Sequence, residues 1–261
     1  MAHDEQRWLS PRLQKAAALC NRAPAASESP LWLGIDLGTC DVVSMVVDCD
    51  GQPVAVCLDW ADVVRDGIVW DFLAPSPSCA DILRLSSSSW AACFTHAATS
   101  FPPGTDPRIS INVLESAGLE ISHVLDEPTA VADLLQLDNA GVVDIGGGTT
   151  GIAIVKQGRV TYSADEATGG HPISPSTLAG NRGIGLEEAE QYKRSHAGEI
   201  WPVVKPVYEK MAENCRPTYC RTRGLSICGW QAAPVCSRAC MSCFVSASRH
   251  YRCICRSTAC L

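Results

Sequence analysis

Aspartate, glutamate and lysine are missing from the last 47 residues of this 261-residue chain, Cys215 to Leu261. The same stretch holds seven arginines and 9 of the 15 cysteines. Without it the chain carries 14 basic and 28 acidic residues, a net of −14, against +7 for the tail. Two unrelated compositions share one chain. Other absences exclude whole function classes. No run approaches the roughly 20 apolar residues of a membrane helix. Met1 to Ser10 carries Asp4, Glu5 and Arg7 and has no apolar centre, so no signal peptide is expected and the cytoplasm is the default setting. An overall charge of −7 speaks against a nucleic-acid surface, so neither nucleic acid nor membrane is an expected partner. An apolar content of 46% suffices for a core, and two domains are plausible at this length.

Trp8 to Cys20 has helical spacing at Leu9, Leu13, Ala16, Ala17 and Cys20, with Pro11 in the first turn. Asn21 to Pro30 is rich in Ala, Ser and Pro, which suggests a linker behind a peripheral extension. Leu31 to Asp36, Val42 to Val47 and Val54 to Leu58 read as strands, the last two joined by an Asp50-Gly51 turn. Ala97 to Phe101 reads as a strand, and Pro107 to Ser116 as a helix closed by Gly118. Glu127 to Leu137 reads as a helix opened by Pro128, and Val142 to Asp144, Ile152 to Val155 and Val160 to Ser163 as strands. Leu186 to Arg194 and Ile200 to Glu213 look helical, and Pro206 is expected to kink or shorten the second.

One stretch concentrates possible chemistry. In Gly141 to Val160, an apolar strand ends on Asp144, three glycines follow (Gly146, Gly147, Gly148), then Thr149, Thr150 and a second strand. Glycines let backbone N–H groups approach an anion, and a carboxylate at a strand end can hold a hydrated Mg²⁺ beside phosphates. A glycine triplet alone is more often just a turn, but the pattern is repeated. Leu33 to Thr39 also runs strand, Asp36, aliphatic, Gly38, Thr39, and a hairpin follows each copy. The alternative is two unrelated strand–turn–strand units.

Three motifs decide between them. GIDLGT (Gly34 to Thr39), DEPTAVA (Asp126 to Ala132) and VVDIGGGTT (Val142 to Thr150) resemble, in order, the first phosphate, first connecting and second phosphate motifs of the actin, DnaK-type chaperone and sugar-kinase superfamily. DGIVWDF (Asp66 to Phe72) is similar to a segment of the bacterial actin homologue MreB. The whole set is similar to the superfamily's ethanolamine-utilisation branch, described as chaperone-like ATPase homologues. The resemblance covers most of residues 1–72 and 95–213. It implies an α/β, actin-like ATPase fold of two similar half-domains around a nucleotide cleft, binding ATP and Mg²⁺. It implies that Asp36 and Asp144 organise the Mg²⁺ shell through water, and that Thr39, beside Gly38, and the amides of Gly146 to Thr149 hold phosphates. Glu127 would orient the attacking water. Gly169 and Gly170 resemble a glycine pair lining the cleft, and Glu190 and Lys193 a helix segment near the nucleoside. For that last pair a solvated charged face is an equal alternative, and Cys40 reads as a small strand residue. The implied partners are ethanolamine-pathway enzymes or shell proteins of a bacterial microcompartment. A non-catalytic scaffold and a small-molecule kinase are the rival functions.

The boundaries implied are 1–30 for an N-terminal helix and linker, 31–138 and 139–212 for the half-domains, and 213–261 for the foreign tail. Residues 73–94 break the pattern too, with six serines and only Asp81 and Arg84 charged. The family expects a late strand and a Gly-Gly pair after residue 213, and the tail has no such pair. Without that strand apolar surface would be uncovered and nucleotide binding weak. Cys240-x-x-Cys243 gives half of a zinc site, without a second pair at suitable spacing. A disulfide framework conflicts with an odd cysteine count and a reducing compartment. The compositions favour out-of-frame translation of both segments. The coding DNA, read in another frame after about Ala212, is then expected to give a strand with Gly-Gly and a helical end; no such frame would refute this.

Overall fold

The structure, a computed structural model, describes residues 9–38, 41–60, 64–65, 68–69, 94–146, 149–166, 177–219, 226–231 and 253–255. They fall into two compact units, one ending its main run at Asp126 and the other beginning at Glu127.

In the first unit a helix, α1 (Leu9–Leu19), precedes β1 (Leu31–Leu37), β2 (Asp41–Asp48) and β3 (Pro53–Trp60). A two-residue pair, β4 (Val64–Arg65) and β5 (Ile68–Val69), stands apart. Then follow β6 (His96–Phe101), α2 (Arg108–Ser116) and β7 (Glu120–Asp126). The sheet order is β3-β2-β1-β6-β7. The first three strands are antiparallel, and β6 and β7 are parallel to β1 and to each other. Alternate residues of β1, Leu33, Ile35 and Leu37, enter a core with Val46, Ala55, Val113 and Leu114.

The N-terminal segment is less peripheral than its composition suggests. Leu9 and Ala16 are buried. Beyond the helix the backbone runs along the edge of β3: Asn21 N–H donates to Val56 O at 2.9 Å and Ala25 N–H to Val54 O at 2.7 Å. The Asn21 side chain closes a two-way bond with Leu58, at 2.8 Å in each direction. An edge strand leaves backbone groups unpaired, and this segment satisfies them.

The second unit repeats the plan. It contains α3 (Glu127–Leu134), β8 (Ala140–Ile145), β9 (Thr150–Lys156), β10 (Arg159–Glu166), α4 (Leu186–Ser195), α5 (Ala197–Tyr219), β11 (Ser226–Gln231) and β12 (Cys253–Cys255). The sheet order is β10-β9-β8-β11-β12, three antiparallel strands followed by two parallel additions, as in the first. The β9–β10 turn has Gln157 at φ 52° and Gly158 at φ 68°, the left-handed pair that a tight hairpin needs. The core gathers Val143, Ile145, Ile152 and Leu178 with the buried face of α5: Ile200, Val204, Tyr208, Met211 and Ala212.

Helix α3, expected in the first half, groups with the second unit and packs on β8, β9 and β10. Helix α5 runs through Pro202 and Pro206 without ending. Both prolines are exposed, while the opposite face is buried in the core, so tertiary packing offsets the roughly 3 kcal/mol an interior proline costs. The tail, expected to lack the late strand, supplies β11, which pairs with β8 over its whole length from Ser226↔Ala140 to Gln231↔Ile145. The drive is long-range: the apolar β8 offers an edge whose backbone groups this segment pairs, although of its six residues only Ile227 and Trp230 favour strands by themselves.

Helix α3 explains one glycine. A Cβ at Gly151 would lie 3.2 Å from Cδ of the buried Pro128. Gly151→Val is expected to cost about 2 kcal/mol through overpacking, read as a lower urea midpoint. An unchanged midpoint would show that α3 does not sit where described.

Candidate functional site

The two expected acids occupy equivalent places. Asp36 is the penultimate residue of β1, and Asp144 is the penultimate residue of β8. In each case the next strand of the hairpin fixes the backbone, through Asp36↔Val43 and Asp144↔Gly151.

Around Asp36, the parallel strand β6 supplies two hydroxyls. Thr99 is buried and donates to the Ile35 carbonyl at 2.9 Å. Ser100 donates to Asp36 Oδ1 at 2.6 Å. Burial pushes the Asp36 carboxyl above the ordinary aspartate range, and the Ser100 bond pulls the other way without cancelling it. Gly38 follows the strand, half-buried. Thr39 and Cys40 lie outside the described residues.

Around Asp144 the turn is partly described. Gly146 N–H donates to the Thr149 carbonyl at 3.0 Å. That amide closes the turn, which corrects the expectation that every amide from Gly146 to Thr149 faces a phosphate. A Cβ at Gly146 would stand 3.3 Å from the Thr149 oxygen, so the turn suits glycine there. Gly147, Gly148, Gly169 and Gly170 lie outside the described residues. Glu127 opens α3 directly after β7, in the first helical turn, where a negative charge meets the positive helix end. Its neighbour Pro128 rests on Gly151, the cross-strand partner of Asp144. The structure therefore brings the start of α3 to the Asp144 hairpin.

Lys193 on α4 is only 1% exposed, so this lysine is not on a solvated face. The side chain of Glu190, also on α4, is not among those described.

Two polar residues escaped the sequence reading. Ser100 is one; the other is Asp165 on β10. Asp165 accepts a hydrogen bond from the Thr149 side chain. Its carboxyl is pushed up to about 6, chiefly by burial and further by neighbouring Glu166, against the lowering effect of the Thr149 bond. A strand-end hydroxyl or acid carries no sequence mark of its cross-strand partner, so neither had a signal beyond position. The raised value sets a sign. Between about pH 4 and pH 6 the folded chain binds more protons at Asp165 than the unfolded chain, so this residue's contribution to stability falls as pH rises through that window. Asp165→Asn is expected to gain on the parent over the same window in urea midpoints taken at several pH values. Parallel curves would contradict it.

The donors in each unit are all oxygens: Asp36 with Ser100 in the first, and Asp144, Thr149 and Asp165 in the second. Carboxylates and hydroxyls suit a hard, hydrated cation such as Mg²⁺. Among the described residues no group of three or more His, Cys, Asp or Glu stands ready to hold a metal directly, which a water-mediated Mg²⁺ does not require. The Cys240–Cys243 spacing lies outside the described residues.

No family model matches the chain. The ethanolamine utilization protein EutJ of Salmonella typhimurium (strain LT2) is 81% identical over 213 residues, covering 82% of this chain and 76% of that protein. The chain belongs to the EutJ family. The crystal structure of EutJ from Carboxydothermus hydrogenoformans matches with a TM-score of 0.80 at 35% identity, over 96% of this chain and 92% of that one. MreB 5 of Spiroplasma citri, solved bound to AMPPNP, matches with a TM-score of 0.62 at 17% identity, over 87% of this chain and 92% of that one. The second likeness speaks to the fold alone, which is the actin-like ATPase fold anticipated from the motifs. A EutJ-family chain is thus an ethanolamine utilisation protein on that fold. None of the described helices is long and apolar enough to cross a membrane.

Proposed function

We propose that the chain binds ATP with Mg²⁺ and hydrolyses it slowly, as a chaperone-like protein of ethanolamine utilisation. The observation that carries this reading is the repeated placement of an acid: Asp36 and Asp144 each stand penultimate in the first strand of equivalent sheets, just before the Gly- and Thr-bearing sequence motifs. Membership of the EutJ family supplies the ethanolamine context, and a fold neighbour solved with AMPPNP supports a nucleotide ligand. Asp36 and Asp144 would hold the water shell of Mg²⁺. The amides of the second phosphate turn other than that of Gly146, with Thr39, would hold phosphate oxygens. Glu127 would orient the attacking water. Bound ATP supplies an activated phosphoryl group, and the chain supplies position and charge. The partners are ethanolamine-pathway enzymes or microcompartment shell proteins in the cytoplasm.

The test is phosphate release from Mg-ATP by the purified chain, and then ATP-dependent recovery of purified pathway enzymes or shell proteins from heat aggregation. Release with client recovery supports the chaperone reading. Release without recovery leaves an ATPase without these clients. Client binding without release is the scaffold outcome and removes the ATPase.

A further inference from the structure

Asp165 lies on β10, the outermost strand of the second sheet's antiparallel trio. It stands opposite Gly151 on β9, and Gly151 stands opposite Asp144 on β8. Directly opposed residues of antiparallel strands point to the same face. Asp144 and Asp165 thus share a face, separated by two strand spacings, roughly 10 Å. The residue between them has no side chain, and Pro128 takes that room. Thr149 is tied twice: its carbonyl accepts from Gly146, and its hydroxyl donates to Asp165. Asp165 Oδ1 is buried with no hydrogen-bond partner among the described residues. A threonine hydroxyl has one proton and two lone pairs. Once the proton is committed to Asp165, what remains is acceptor only. An acceptor oxygen meets phosphate oxygens unfavourably, and it meets the protons of a cation's water shell favourably.

We propose that Asp165 is a positioning residue that holds the Thr149 hydroxyl proton, so that the Thr149 oxygen serves the hydrated-cation side of the ligand rather than its phosphate oxygens. This rests on the nucleotide reading above and assigns a division of labour within that site: Thr149 acts by its side-chain oxygen on the metal's water shell, while backbone amides hold phosphate. The role differs from that of a structural acid in one measurable respect, which is that it affects only the metal-dependent part of binding.

The experiment measures ATP affinity of the full chain with Mg²⁺ and with EDTA, for the parent, Asp165→Ala and Asp165→Asn. In the parent, Mg²⁺ strengthens ATP binding. In Asp165→Ala that enhancement is expected to fall about tenfold, the worth of one charge-assisted hydrogen bond, while metal-free affinity holds or rises because the released hydroxyl proton can reach a phosphate oxygen. Asp165→Asn keeps an acceptor oxygen and is expected to stay within about twofold of the parent. If Asp165→Ala does not fold, Thr149→Val deletes the hydroxyl from the other end and is expected to lose the same enhancement. Equal loss with and without Mg²⁺, or as large a loss in Asp165→Asn as in Asp165→Ala, overturns the proposal, as does an unchanged Mg²⁺ enhancement. A parent that binds no ATP under either condition overturns the nucleotide reading and this proposal together. A parent that binds while Asp165→Ala behaves identically overturns this proposal alone.

Discussion

Replacing Asp144 by alanine cuts the rise in melting temperature that Mg-ATP gives the parent chain to about 1 °C. The expectation follows from where the residue sits. Its backbone is held on both sides, by Gly151 of β9 and Trp230 of β11, so the loss of one carboxyl should leave the strand in register. Val142, Val143 and Ile145 around it are almost wholly buried and keep the core intact. The substitution should therefore act on the ligand more than on the fold. A ligand present at a hundred times its Kd stabilises the folded state by about 2.7 kcal/mol. A group that organises a metal's outer shell is typically worth 10- to 100-fold in affinity. A hundredfold loss leaves only about 0.4 kcal/mol under the same conditions. For a chain of this size that is a shift of roughly 5–10 °C reduced to about 1 °C. Thermal melts of parent and variant, each with and without Mg-ATP, read it directly. A full shift in the variant would show that the phosphate site is elsewhere.

Glu127→Gln should separate binding from turnover. Glutamine keeps the size and the place at the head of α3, and the helix start is secured by Pro128 against Gly151. Losing the charge in the first helical turn costs up to about 2 kcal/mol at a half-buried position such as this one. ATP affinity should change no more than a few-fold. Phosphate release should fall by about 10²- to 10⁴-fold, the range for a positioned group that handles a proton or orients water. Steady-state phosphate release beside direct titration distinguishes the outcomes. Unchanged release would remove Glu127 from the chemistry. A matched fall in binding would make its role that of holding the ligand.

Much of the fold was legible because its signals are local. The hairpins β2–β3 and β9–β10 announce themselves by apolar runs around Asp50-Gly51 and Gln157-Gly158, and the left-handed φ of Gly51, Gln157 and Gly158 is what those turns need. The repeat of Asp36 and Asp144 was legible for the same reason, since strand, acid and turn are contiguous. What was not legible depends on distant partners. Residues 226–231 form a strand because β8 presents an open edge, and nothing within that hexapeptide announces it. Helix α5 survives Pro202 and Pro206 because Val204, Tyr208 and Met211 are buried across the helix from them. For Lys193 the sequence leaves a place near the nucleoside and a solvated charged face equally open, and its burial removes the second. Ser100 and Asp165 matter through bonds that cross between strands. The motif resemblance alone places the Gly146 amide at a phosphate, and in the structure that amide closes its own turn.

The central claim is that a chain with these two acid-ended hairpins binds ATP through Mg²⁺. Calorimetric titration of Mg-ATP into the full chain tests it most directly. The account predicts saturable binding of one ATP per chain, weakened by EDTA and weakened about 10- to 100-fold in Asp144→Ala. Absence of binding heat at millimolar Mg-ATP, with no shift in melting temperature, would contradict it.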